Sequence, residues 1–505
     1  MFIVNLVSFI LVLGLVILIH ELGHFWFAKR AGILCHEFAI GMGPIVYKKQ
    51  KGETLYTIRA FPIGGFVMMA GEEISDAMIK QGDTVKLKRD GGGLIESIVL
   101  YQDHPDYAHL PLETVESFSL SGKEGSPLTI NGEFVREDAN YLLKDKSMRL
   151  STYDRSFESK TLSQRFLTIF AGPMMNFILA FVIFTLVAMI AGFPVTDSNE
   201  LGAVSETLPA GEFFEVGDRI VAVEDQVTNS WDDFSVAMSQ RLGMRNIAIT
   251  IERDGNRQDY VINPRLFFYS VGFNSHPEAT TDLRIGPVVS GTLAAQAGIQ
   301  ENDVIVAIDG LSMTSWQDVT LIMQEEASSR TFTLERDGTP FEVTIEPFEQ
   351  DLLSAQGVSA VESIIGVSPT SEFRFLPSFS QGALSVLGAG TMIFDTLRLL
   401  INSSQVGVGD LAGPIGIFTI TSQARAQGLV VLLNWVGLLS VNLGILNLLP
   451  IPALDGGRIV FIGYEALTRR KVNKRFENLL HLMMLFLLLS LFVFVAFNDV
   501  IRLFN

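Results

Sequence analysis

The stretch Phe2-Ile3-Val4-Asn5-Leu6-Val7-Ser8-Phe9-Ile10-Leu11-Val12-Leu13-Gly14-Leu15-Val16-Ile17-Leu18-Ile19-His20-Glu21-Leu22-Gly23-His24 decides how the rest of the chain is read. Phe2 to Ile19 carries no charge and is close to the roughly 20 residues that cross about 30 Å of hydrocarbon. It has no basic leader and no small-residue cleavage site, so it reads as a retained helix. At its end two histidines stand four residues apart, on one helix face, where both imidazoles can turn to one cation. Glu21 beside them can take a proton from an attacking water. H-E-x-x-H is a zinc-hydrolase spacing, and such polar groups near a bilayer are expensive unless functional. The plainer alternative is a pair of interfacial histidines closing a helix.

Working outward, 48% of the 505 residues are apolar and 18% charged, which excludes disorder and argues against a wholly soluble protein. Three more uncharged runs can span a membrane: Phe166 to Thr196, Ala426 to Leu454 and Asn478 to Asn498. A fifth, Phe375 to Phe394, holds Pro377 and several glycines and serines, and reads as a surface or partly inserted helix. The net charge of −18 argues against a nucleic-acid partner. Its source is local: Asp197 to Glu372 holds 29 acidic residues, nine arginines and no lysine, so the remainder is slightly basic. The single cysteine, Cys35, leaves no internal disulfide and no cysteine zinc cluster.

Basic residues set the orientation. Lys29, Arg30, Lys48, Lys49 and Lys51 follow the first span, Lys160 and Arg165 precede the second, and Arg469 to Arg475 lies between the third and fourth. All are cytoplasmic if four spans cross with both termini outside, which makes the acidic block extracytoplasmic. Counting Phe375 to Phe394 as a span would move the Arg469 cluster outside. The expected organisation is an α-helical polytopic membrane protein. Transmembrane helices occupy 1–27, 163–196, 426–467 and 477–498. A cytoplasmic segment covers 28–162, with a glycine-marked extended stretch near 55–70 and a β-rich insert at 73–160. Within that insert Thr84 to Lys88, the turn Asp90 to Gly93 and Leu94 to Leu100 read as a hairpin.

The acidic block repeats. Asp218-Arg219-Ile220 and Ser230-Trp231-Asp232-Asp233 return as Asp303-Val304-Ile305 and Ser315-Trp316-Gln317-Asp318, and Glu252-Arg253-Asp254-Gly255 returns at Glu335 to Gly338. A period this long means two copies of a small α+β domain, here 197–275 and 276–350, followed by a linker and amphipathic helix at 351–425. Gly291 to Ile299 with Asn302 to Ile305 resembles the PDZ pattern, whose domains take extended peptides by strand addition. Bracing or filtering without a ligand is the alternative.

A catalytic zinc needs a third protein ligand and an open position. Asn447-Leu448-Leu449-Pro450-Ile451-Pro452-Ala453-Leu454-Asp455-Gly456-Gly457 breaks the third span with two prolines. Irregular backbone at membrane depth is tolerated only under cover of protein or a wet cavity. Asp455 is therefore the candidate ligand, with a helix N-cap as its structural alternative.

Together with Gly41 to Pro44, Pro62 to Phe66 and Ala171 to Phe177, these motifs make the chain resemble the site-two protease family of intramembrane zinc metalloproteases. Within that family it resembles the bacterial branch called regulator of sigma-E protease. The resemblance covers most of the length. It implies Zn2+ held by His20, His24 and Asp455, with Glu21 catalytic. It implies substrate contact by Asn447, Pro450 and Pro452, and a membrane-associated β-loop around Gly64 and Gly65. Implied substrates are single-span membrane proteins already shortened by another protease, such as anti-sigma factors, or signal-peptide remnants, in the bacterial cytoplasmic membrane. The long 73–160 segment is more like Gram-positive members, whereas tandem PDZ copies are similar to the proteobacterial type.

Two rivals are a catalytically silent PDZ-bearing adaptor and a zinc transporter. The intact His20, Glu21, His24 and Asp455 oppose the first. The second needs more intramembrane carboxylates or histidines than His481 supplies.

Overall fold

The computed structural model describes residues 1–502 except 72–77, 102, 104, 123–124, 145–146, 278–281, 290–291, 349–352, 354–357, 403–408 and 410. The expected insert start at 73, the repeat boundary at 350 and Gly291 lie outside the described residues. Two compact units result. One joins residues 1–184, 382–390 and 412–499; the other joins 185–381, 391–411 and 500–505.

In the first unit, helices α1 (Phe2–Arg30), α2 (Leu162–Ala191), α3 (Pro414–Ala426), α4 (Leu429–Leu448), α5 (Asp455–Thr468) and α6 (Lys474–Arg502) follow the apolar runs. Among the described residues α1, α2, α4 and α6 are long and apolar enough to cross a membrane. The helix Phe375–Asn402 is not among them. Along α1 the buried residues Val12, Val16, His20, Gly23, His24 and Ala28 form one stripe at helical spacing. On other faces of α1 large apolar side chains such as Leu6, Leu11, Leu15 and Trp26 are exposed, as on a helix in lipid.

The expected third span, 426–467, is two helices. Pro450 and Pro452 cannot donate to a helix ladder, so α4 stops at Leu448 and α5 restarts at Asp455. A Cβ on Gly456 would lie 2.2 Å from the Leu449 carbonyl oxygen, so glycine is what lets the new helix begin directly against the break.

Between α1 and α2 runs a hairpin of β1 (Cys35–Lys51) and β2 (Thr54–Met69). Its strands fold back on themselves. Ile40 pairs with both Ile58 and Gly65, and Phe38 with both Tyr56 and Val67, so the first half of β1 lies between the two halves of β2. Gly65–Met69 is left as an outer pass, with pairing on one side among the described strands. The β-rich insert has its own sheet and a core of residues such as Leu87, Ile95, Ile98 and Ile130. Its expected hairpin is Thr84–Arg89 with Ile95–Val99, and the Asp90 carboxylate accepts from the Gly92 and Leu94 amides to close the turn.

The second unit carries the repeats, and their sequence echoes are the same bonds made twice. Ser230 and Ser315 each cap a helix, Trp231–Ser239 and Trp316–Gln324, in a reciprocal capping box with Asp233 and Asp318. Arg253 grips Asp218 through two N–H groups at 2.7 Å, and Arg336 grips Asp303 at 2.7 and 2.8 Å. The boundary expected at residue 275 is displaced. Arg265–Phe268 and Phe273–Ser275 already belong to the second repeat's sheet with Ile285–Val288. The supposed linker supplies Val361–Ile364 to that same sheet and Val367–Pro369 to Leu201–Val204 of the first repeat. Val361 is buried in the second core and Ile365 in the first. The second repeat is thus inserted within the first. Strand partners 93 to 168 residues apart leave no trace in local periodicity.

Candidate metal centre

Three donors converge where α1, α2 and α5 meet. His20 Nε2 and His24 Nε2 lie 3.2 and 3.3 Å from Asp455 Oδ2, and 3.2 Å from each other. His20, His24 and Asp455 are the acidic, histidine or cysteine group able to hold a metal among the described residues. The triangle has a chemical meaning. Four ligands placed tetrahedrally at 2.0–2.1 Å from zinc stand roughly 3.3–3.4 Å apart. The donors therefore mark three corners and leave the fourth open, which fits a zinc ion.

The surroundings fix the rings. His24 Nδ1 is 2.9 Å from the Thr168 carbonyl oxygen of α2, a group that only accepts. Nδ1 therefore carries the hydrogen, and the Nε2 lone pair faces the other donors. A Cβ on Gly172 would fall 2.3 Å from His24 Nε2, so α2 approaches the imidazole only because glycine stands there. His20 Nδ1 meets the side chain of the fully buried Asn176 at 3.3 Å. Ser440 of α4 donates to the Asn176 backbone carbonyl at 2.8 Å, tying α4 to the same point. Asp455 is the first residue of α5, with Leu454 at the N-cap, so its carboxylate serves the histidines and not the cap expected as its alternative role.

Glu21, one residue past His20, is half-buried and does not join the donor triangle. It faces the outer pass of β2, where a Cβ on Gly65 would touch Glu21 Cγ at 3.0 Å. Behind that pass, the buried Glu37 accepts from Arg59 Nε and Nη2 at 3.2 and 2.5 Å and from Thr57 Oγ1 at 2.7 Å. Arg59 also donates to the Gly43 carbonyl at 2.7 Å and lies over the Phe66 ring, 5.0 Å from its centre. This one guanidinium holds several passes of the hairpin together beside Glu21.

The remaining expected residues are less converged. Asn447 donates its amide to the Leu443 carbonyl of its own helix at 3.0 Å. Pro450 is exposed and Pro452 half-buried within the break. Gly64 takes φ +87, which only glycine adopts readily, and packs by Met42. Cys35 takes no part, because burial pushes its thiol up to about 12 and leaves it unreactive near neutrality. Sequence reading passed over Thr168 and Ser440, and gave Gly172 and Asn176 no role beyond their place in the Ala171 to Phe177 motif. An asparagine inside an otherwise apolar span was the available signal.

A family model described as peptidase family M50 matches residues 8–491. Among curated relatives, the zinc metalloprotease RasP of Geobacillus kaustophilus is 31% identical over 506 residues, 99% of this chain and 98% of its own. RasP of Oceanobacillus iheyensis is 30% identical over 511 residues, 99% of both chains. The regulator of sigma-W protease RasP of Bacillus subtilis is 30% identical over 511 residues, the whole of both chains.

Proposed function

The chain belongs to peptidase family M50, the site-2 protease family of zinc metalloproteases, and from that premise we propose that it hydrolyses peptide bonds inside the membrane-spanning segments of single-span proteins. It is a membrane protein and its cofactor is Zn2+. His20, His24 and Asp455 would hold the ion. The observation that carries this is the equilateral spacing of their three donor atoms at 3.2–3.3 Å.

Zinc supplies a Lewis acid that polarises the scissile carbonyl and acidifies water. The chain supplies the rest. Glu21 takes a proton from the attacking water and passes it to the leaving amine. A helical substrate hides its peptide bonds, so it must be unwound and its backbone groups given new partners. The outer pass Gly65–Met69 offers a sheet edge beside Glu21, on which an extended substrate adds as a strand. Gly64 turns that edge into place. Asn447, Pro450 and Pro452, in the break just before Asp455, would contact the unwound segment, and the Asn447 amide must then leave Leu443.

In this reading α1, α2, α4 and α6 cross a bacterial cytoplasmic membrane with the metal centre toward the cytoplasm. The acidic repeats are PDZ-like and lie outside. Capping boxes and arginine pairs to a buried aspartate, repeated in both copies, support a common fold. The substrate class in this reading is an anti-sigma factor trimmed beforehand by another protease; the Bacillus subtilis relative's name, regulator of sigma-W protease, supports a part in sigma-factor control.

The test is Glu21→Gln, an isosteric change that removes the base. The variant should keep zinc and lose cleavage of a membrane-embedded reporter by at least the 10²-fold typical of a general base. Wild-type cleavage by this variant removes Glu21 from the catalytic role.

A further inference from the structure

We infer that Asn176 is a positioning residue that fixes the tautomer and the rotation of His20, so that its Nε2 lone pair is held ready for the metal. The inference rests on the proposed ligand set.

An imidazole that binds zinc through Nε2 must carry its hydrogen on Nδ1, and that hydrogen needs an acceptor when the ring is buried. His24 obtains one from the Thr168 carbonyl. His20 is also buried, and its Nδ1 lies 3.3 Å from Asn176 Nδ2, the amide nitrogen. Asn176 is 0% exposed, and one atom of its amide, Oδ1, has no partner. A half-turn of the amide exchanges its nitrogen and oxygen without moving other atoms. With nitrogen toward His20, the ring would have to accept at Nδ1 and carry its hydrogen on Nε2, the atom that faces His24 Nε2 and Asp455 Oδ2. With Oδ1 toward His20, Nδ1 donates and Nε2 is free. With the amide nitrogen toward His20 the buried Oδ1 meets no donor, so the half-turn gives up no hydrogen bond there and the contact with His20 decides the orientation.

Asn176 is well built to hold a ring. Its backbone carbonyl receives the Ser440 hydroxyl at 2.8 Å, so α4 braces α2 at the residue that braces α1. The two histidines are thus oriented by one helix, α2, through a backbone carbonyl and a side-chain amide two turns apart.

The test uses purified full-length protein and measures zinc affinity by competition with a chelator. Asn176→Leu keeps the branching at Cγ and removes the acceptor; Asn176→Asp keeps shape and acceptor. Leucine should weaken zinc by the 10–100-fold usual for lost outer partners of a ligating histidine, and aspartate should hold it at least as tightly as asparagine. Zinc bound by the leucine variant as tightly as by wild type overturns the inference. So does a tenfold or greater loss in the aspartate variant, which decides the matter if leucine does not fold. His20→Ala is the control for the underlying reading: unchanged zinc affinity there would overturn the ligand set itself, whatever Asn176 does.

Discussion

Gly65 on the outer pass of β2 lies against Glu21 on α1, so closely that a methyl on Gly65 would stand 3.0 Å from Glu21 Cγ and 3.3 Å from Ile17 Cγ2. A larger side chain must push the carboxylate aside or lift the strand away. Gly65→Val should retain zinc, because the three donors lie elsewhere, and should lose reporter cleavage by roughly tenfold or more, since small misplacements of reacting groups are costly. Equal loss of zinc and activity would show that the strand supports the metal centre instead.

Asp455→Asn replaces an anionic oxygen with a neutral amide while leaving the two histidines in place. Zinc affinity should fall by more than the tenfold at the lower end for losing an outer partner of a ligand, and cleavage with it. Metal content of the purified variant after dialysis is the measurement. Full occupancy and full activity would remove Asp455 from the ligand set.

Acid should loosen the hairpin at Glu53. Its carboxylate takes two hydrogen bonds from Arg155 at 2.7 and 2.8 Å and another from Lys29 at 2.5 Å. Those partners, Arg155 first, hold it down to about 2 from an ordinary 4.5. The folded value lies below the unfolded one, so its stabilisation is complete above pH 4.5 and is lost as the pH falls toward 2. Glu53→Gln should cost about 1–2 kcal/mol at neutral pH, the lower range for a part-exposed charged cluster. It should also flatten the fall of melting temperature between neutrality and about pH 3. A variant whose acid profile overlays that of wild type would assign the acid sensitivity to other groups.

The nested repeats dictate where they can be cut out. Phe193–Pro194 pairs with Ser371–Glu372, and the Val195 amide donates to the Thr370 carbonyl at 2.8 Å, so the block enters and leaves through one small ladder. Replacing residues 196–369 with a short glycine–serine turn should leave zinc binding and cleavage of a short substrate intact. If the block filters substrates by size, this enzyme should also cut an untrimmed substrate that the intact protein rejects. Unchanged rejection would favour peptide capture or bracing. A cut ending near residue 349 would strand Val361–Ile364 and Val367–Pro369 without their sheet partners.

What the sequence determined by itself rests on short-range rules. Eighteen uncharged residues before His20 specify a lipid-facing helix, and four-residue spacing puts His20 and His24 on one face of it. Two prolines force the break before Asp455, and serine–aspartate capping signals start both repeat helices. Family membership was equally legible, because its motifs are local strings. Only the tertiary structure decided which distant groups meet. It brought Asp455 to within 3.3 Å of residues more than 430 positions earlier. It set Gly65 against Glu21, put Thr168 and Asn176 behind the two rings, and nested one repeat inside the other. Those pairings depend on helix approach distances and strand register, which are settled by the packing of whole elements. Residues such as Gly172 and Asn176 are ordinary in their own helix and acquire their roles only from the neighbour that packing brings against them.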